Sequence, residues 1–136
     1  MRPSTHSRWR RQRGQSLLET ALMIVVIVTV VFWVFELGWV MYTYSVLADA
    51  VNEGVRYAIV HSGGDPAGTQ AKVKTFAATS LHDISAISPS VSFPDGSSVP
   101  PNRVRVTVTY TYIPYLPKFM TAPTMKTYAE GRMVVQ

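Results

Sequence analysis

Ala21-Leu22-Met23-Ile24-Val25-Val26-Ile27-Val28-Thr29-Val30-Val31-Phe32-Trp33-Val34-Phe35 is a stretch fit only for lipid, and Arg10-Arg11-Gln12-Arg13-Gly14-Gln15-Ser16-Leu17-Leu18-Glu19 leads directly into it. Its many β-branched residues would disfavour a helix in water. In lipid the backbone must satisfy its own hydrogen bonds, and helix wins. A bilayer asks for about 20 residues, more than Ala21 to Phe35 supplies, and counting from Leu17 to Tyr44 repairs the shortfall. Trp33, Trp39, Tyr42 and Tyr44 cluster toward the far end as an aromatic belt would. Glu19 and Glu36 are separated by roughly 26 Å of helix, so the two carboxylates reach toward opposite interfaces.

Upstream of the span the chain is basic. The formal net charge is +5, yet Arg2, Arg8, Arg10, Arg11 and Arg13 all precede Gly14 with no acid among them, and the remainder is formally neutral. Arginine on one flank of an apolar span holds that flank in the cytoplasm, so the basicity encodes topology and not nucleic-acid binding. The absence of cysteine excludes disulfides, thiolate metal sites and thiol nucleophiles. At 136 residues the chain allows one domain plus an anchor.

Glu19 is the anomaly, because an ionisable group at a membrane segment is by default functional, with a partner to be named. A cut after Gly14 would give Gln15 a free amine, one helical turn from Glu19. This arrangement resembles the processing site of type IV prepilins, whose basic leader ends in glycine and whose fifth mature residue is glutamate. Phe35-Glu36-Leu37-Gly38 and the stretch Leu47 to Ala58 resemble the TadE-like family of minor pilins. That family usually has an AAREGAR core, where this chain reads Ala50-Val51-Asn52-Glu53-Gly54-Val55-Arg56. The similarity covers roughly residues 13 to 62. Major pilins of the same tight-adherence system have a Glu-Tyr pair and a very short body, whereas Glu19 is followed by Thr20 and a longer body, which favours a minor pilin or pseudopilin.

The resemblance implies that a membrane-embedded prepilin peptidase cuts between Gly14 and Gln15. It also implies that the mature protein joins or primes a tight-adherence pilus or related secretion apparatus, with other pilins as partners. Glu19 is then the assembly carboxylate, and Glu53, Gly54 and Arg56 are family-motif stalk residues. The expected organisation is a leader over 1–14, a transmembrane and stalk helix over 15–62, and an extracytoplasmic α+β domain over 63–136. The protein is expected to be single-pass in the cytoplasmic membrane with its amino end inside.

Beyond Tyr44, the residues Leu47, Val51, Val55 and Ile59 recur every four positions with Ala50, Gly54 and Ala58 beside them. Asp49, Asn52, Glu53 and Arg56 fall opposite, as in an amphipathic helix. The small residues suit close packing within the chain first, and against a neighbouring subunit second. Glu53 and Arg56 read as a solvated i, i+3 pair. Ser62-Gly63-Gly64 supplies the stop.

A second helix is expected from Pro66 to about His82, with Asp65 as its cap. Ser88-Pro89 and Pro94-Asp95-Gly96 read as turns around a brief strand near Val91 to Phe93. Arg103 to Ile113 alternates as a half-buried antiparallel strand, and a third strand runs from about Lys126 to Val135. The expected fold is therefore α+β: a long amino-terminal transmembrane helix, a second helix and a roughly three-stranded antiparallel sheet. Pro114-Tyr115-Leu116-Pro117-Lys118-Phe119-Met120 is unusually apolar for a loop, suited to folding over the sheet edge or to meeting a partner.

Catalytic patterns are lacking. His6, His61 and His82 are too scattered for a local metal motif, and none of H-E-x-x-H, G-x-S-x-G or G-x-x-x-x-G-K-[ST] occurs. His61 and Asp65 straddle a glycine turn and read as an exposed loop. No enzymatic activity, cofactor or metal is expected, and the chain reads better as an enzyme's substrate. Two rival readings remain. A signal-anchored extracytoplasmic binding domain would be uncut and indifferent to Glu19. A secreted protein cut at Ala48-Asp49-Ala50 would begin at Val51, but the stretch from Glu36 to Leu47 is far too long for a signal's c-region.

Overall fold

The computed structural model describes residues 6–81, 83–115 and 121–134, with side chains from Gly14 onward except at Ser62. The leader's arginines, His82, the 116–120 part of the apolar loop and the end of the expected third strand lie outside the described side chains. The chain divides into two compact units, Met1–Gly38 and Trp39–Gln136. Their secondary structure is α1 (His6–Val60), α2 (Pro66–Ala78), β1 (Ile87–Ser92), β2 (Arg103–Thr111) and β3 (Thr124–Arg132).

In the first unit the apolar side chains of α1 have no protein around them: Leu17 and Leu18 are each 73% exposed, and Leu22 to Phe35 are exposed throughout. Among the described residues α1 is the one helix long and apolar enough to cross a membrane. Its hydroxyls are handled accordingly. Thr20 Oγ1 donates to the Ser16 carbonyl at 2.9 Å and Thr29 Oγ1 to the Val25 carbonyl at 2.8 Å, so neither needs water. The helix begins at His6, upstream of the expected start at Gln15. Nothing between His6 and Gly14 forbids a helix, since the interior glycine costs only about 1 kcal/mol.

In the second unit the stalk face is buried as its period demands: Leu47, Ala50, Val51, Val55 and Ala58 join Val73 and Ala77 of α2 and Val104, Val106 and Val108 of β2 in the core. Gly63 (φ 63°) and Gly64 (φ 70°) turn the chain out of α1, a conformation other residues adopt only with strain. Asp65 then caps α2, its Oδ1 accepting from the Gly68 amide at 3.2 Å, with Pro66 in the first turn.

α2 stops at Ala78, short of the expected His82. The Thr79 hydroxyl donates to the Phe76 carbonyl at 2.7 Å and the Ser80 amide bonds Ala77 at 3.1 Å, tightening and ending the last turn. Leu81 remains buried beyond it.

The described strands form an antiparallel sheet in the order β1-β2-β3. β1 starts earlier than expected, and Pro89, read from sequence as a turn residue, lies within it opposite Val108. That is allowed because β1 is an edge strand and Pro89 can leave its missing donor on the outer side. The Phe93-to-Gly96 turn forms as expected, with Gly96 at φ 78° and its amide 3.0 Å from the Phe93 carbonyl. β3 is shifted toward the amino end of the expected range and pairs Val106 with Ala129 and Tyr110 with Met125. The chain end returns to the stalk through the Val134 amide, 3.1 Å from the Ile59 carbonyl.

Candidate assembly site

Gly14, Gln15 and Glu19 all lie on α1 in the first unit, and all are exposed. Gln15 and Glu19 are four residues apart, which on a helix puts them on one face. A side chain added at Gly14 would meet nothing within 4 Å, so the glycine answers no packing need of this chain. The Gly14–Gln15 bond sits inside a continuous helix. Its glycine is the residue of that turn with the weakest preference for staying helical. Glu19 stands among exposed Leu18, Leu22 and Met23, a carboxylate in apolar company.

The three motif residues of the stalk fare differently. Gly54 is buried where α1 crosses α2: a Cβ there would lie 2.5 Å from Val73 Cγ2 and 3.4 Å from Val106 Cγ1. Only glycine permits this approach, and the small-residue face is occupied by the chain's own helix and sheet. The expected Glu53–Arg56 pair does not form. Glu53 Oε1 instead faces Lys72 Nζ of α2 at 3.8 Å, because the docking of α2 beside the stalk supplies a nearer cation on that side. Arg56 is exposed and joins no ion pair among the described residues.

Three groupings escaped the sequence reading. Tyr57, His61 and Asp65 come together at the top of α1: the Tyr57 and His61 rings stack at 3.7 Å, and the Tyr57 hydroxyl donates to Asp65 Oδ2 at 3.1 Å. Burial first, then this hydrogen bond, pushes the Tyr57 hydroxyl up from its ordinary value. His61 Nδ1 is 2.7 Å from the Tyr57 carbonyl, so the loop read as exposed is a half-buried, hydrogen-bonded junction between helices. The i, i+4 spacing of Tyr57 and His61 was the available signal.

On the outer face of the sheet, Arg103 bonds Asp95 at 2.8 Å, and Glu130 accepts from both Arg103 and Arg105. Hydrogen bonds from the Arg103 side chain and backbone hold Asp95 well below the usual carboxylate range, at about 2. Arg105 also lies 5.3 Å from the Tyr128 ring centroid. The alternation of β2 already pointed these arginines outward, but their partners depended on the register of β3. The third grouping is a half-open aromatic pocket of about 290 Å³ bounded by the stalk, the segment after α2 and the end of β2.

Comparison with known proteins finds no matching curated protein and no matching solved structure. The family model described as TadE-like protein matches residues 14–56, a segment that holds Glu19, the apolar run and the Glu53-Gly54-Arg56 motif. Over residues 14–56 the chain is therefore similar to the family described as TadE-like protein.

Proposed function

We propose that the protein is a minor pilin or pseudopilin that is cleaved by a prepilin peptidase and contributes to assembly of a tight-adherence pilus or related secretion apparatus. The observation that carries this reading is the TadE-like match beginning at Gly14, on a helix whose apolar face has no protein partner within the first unit. In the membrane, lipid covers that face. In an assembly, the same face of other subunits replaces the lipid.

The arginines before Gly14 keep the amino end in the cytoplasm, leaving the α+β domain outside. The peptidase cuts after Gly14, where the lack of a side chain lets the backbone enter a narrow site and where the helix is most easily opened. The new amine of Gln15 neutralises Glu19 of an adjacent subunit as both move into a protein core, because a carboxylate stranded in low dielectric is strongly unfavourable until paired. In this scheme the chain is a substrate and a building block; the peptidase and the other pilins are its partners.

The test separates anchoring from assembly. Glu19→Ala removes a charge that opposes insertion, so the variant should be membrane-bound and still cut after Gly14. It should nevertheless fail to co-purify with pilus components, whereas Thr20→Ala assembles normally. Equal assembly by Glu19→Ala and the parent would make Glu19 a tolerated interfacial residue and favour an unprocessed signal-anchored binding domain.

A further inference from the structure

The exposed large apolar side chains of the second unit are unevenly placed. Phe76, Val99 and Tyr128 stand singly on separate elements, as is ordinary on a protein surface. Trp39, Met41, Tyr42 and Tyr44 instead crowd the first two turns of this unit, and Met41 is 73% exposed. The connection between β2 and β3 adds to the same end. Ile113, 63% exposed, borders the aromatic pocket together with Trp39 and Tyr42, and the Tyr115 ring stacks on Trp39 at 6.3 Å. The far end of that connection is held beside its start, the Tyr112 amide donating to the Pro123 carbonyl at 3.0 Å, and Pro123 shares a second groove with Met41 and Tyr44. Two segments far apart in sequence thus build one apolar, ring-rich end of the domain.

The chain enters the domain at this same end. Only Glu36, Leu37 and Gly38 separate Trp39 from the apolar run, so Trp39 follows Phe35 by roughly 6 Å of helix. The polar layer of each leaflet is about 5–8 Å deep, and so short a tether holds Trp39 at that layer. Tryptophan and tyrosine favour this depth, where the ring body meets lipid and the polar edge meets headgroups. Neither Trp39 to Tyr44 nor Ile113 to Tyr115 contains a lysine or arginine, so the attraction is apolar and asks for no anionic lipid.

We propose that this end of the α+β domain lies in the bilayer interface, with Ile113 and Tyr115 entering the headgroup layer beside Trp39. The domain is then held to the membrane surface by a second segment besides its helix, which fixes the face it turns toward lipid before any assembly. This rests on the membrane placement of α1, and not on cleavage after Gly14 or on the role of Glu19.

The experiment places the full, uncut chain in phosphatidylcholine nanodiscs, with discs in excess so that each holds one chain and no second copy can cover the face. Isoleucine δ-methyl groups carry the NMR label, and a lipid with a nitroxide just below its headgroup supplies the broadening. Ile24 and Ile27 report the apolar run, Ile113 reports the contact, and Ile59, roughly 30 Å of helix beyond Trp39, is the reference. Ile24, Ile27 and Ile113 should all broaden, with Ile113 broadened several-fold more than Ile59 and unchanged by high salt. Tyr115→Ser should reduce the broadening of Ile113, whereas Tyr128→Ser, about equally exposed but on the outer face of the sheet, should leave it unchanged.

The controls separate this contact from the anchor. If the methyls of the run broaden while Ile113 stays as sharp as Ile59, the domain stands clear of the bilayer and the proposal is overturned with the anchor intact. Sharp signals from Ile24 and Ile27 as well would remove the anchor itself and the contact with it. Equal effects of Tyr115→Ser and Tyr128→Ser on Ile113 would also overturn the proposal, since the broadening would then not depend on this face.

Discussion

Gly54→Ala adds one methyl group where α1 crosses α2, and the geometry fixes what it meets. The new carbon would lie 2.5 Å from Val73 Cγ2 and 3.4 Å from Val106 Cγ1, against an ordinary carbon contact of about 3.5–4.0 Å. Val73 is fully buried and β-branched, so its methyl cannot swing aside and the helices must separate instead. Overpacking of this kind costs about 1–3 kcal/mol, here toward the upper end, and the better helix propensity of alanine returns about 1. The net loss is about 1–2 kcal/mol, or roughly 5–15 °C in the melting temperature of a domain this size. Thermal melts of the full chain in micelles, followed by near-ultraviolet circular dichroism, measure it. Val73→Ala alone should cost about 2 kcal/mol through lost burial and a cavity. The double variant should be less destabilised than the sum by about 1–2 kcal/mol, since the added methyl occupies the vacated space. A Gly54→Ala chain that melts at or above the parent, or additivity within about 0.3 kcal/mol, would refute the claim that this motif glycine serves packing within the chain.

Two further perturbations test the second unit. Asp95 is held at about 2 in the folded chain against an ordinary 3.8. Between those values the unfolded state therefore binds more protons, and the Asp95 contribution is fully present above about pH 4 and lost as pH falls through 2. Melting temperatures between about pH 5 and 2 should fall less for Asp95→Asn than for the parent, and parallel slopes would exclude Asp95 as a contributor. Asp65 has φ 30° and caps α2, so Asp65→Ala should lose about 1–2 kcal/mol in the same thermal assay while Asp65→Asn, which tolerates that backbone and retains an acceptor, loses much less. Equal losses for the two would mean that the cap is not what holds the junction.

The legible parts of this chain are those where one periodicity acts alone. The stalk face from Leu47 to Ile59 and the alternation of β2 declare their buried sides, because a helix or strand with one apolar face has one way to be satisfied. Pro89 misled because proline is a breaker inside a sheet but acceptable at its edge, and strand order is not visible locally. The end of α2 was obscured by Leu81, which continues the apolar stripe after the helix has stopped. For Glu53 the cation close by in sequence is Arg56, whereas Lys72 is the one that faces it once α2 docks. The aromatic pocket draws on residues from three distant segments and carries no local signature. By contrast, Gly14, Gln15 and Glu19 form a purely local pattern, readable from sequence and exposed on α1.

The amino-terminal residue of the protein isolated from its own cell envelope tests the account most directly. Intact-mass measurement with terminal sequencing should find Gln15 first, and Gly14→Val should accumulate the uncut chain, since a β-branched residue would obstruct a site shaped for bare backbone. A mature protein that begins at Met1 or at Val51 would contradict the pilin reading.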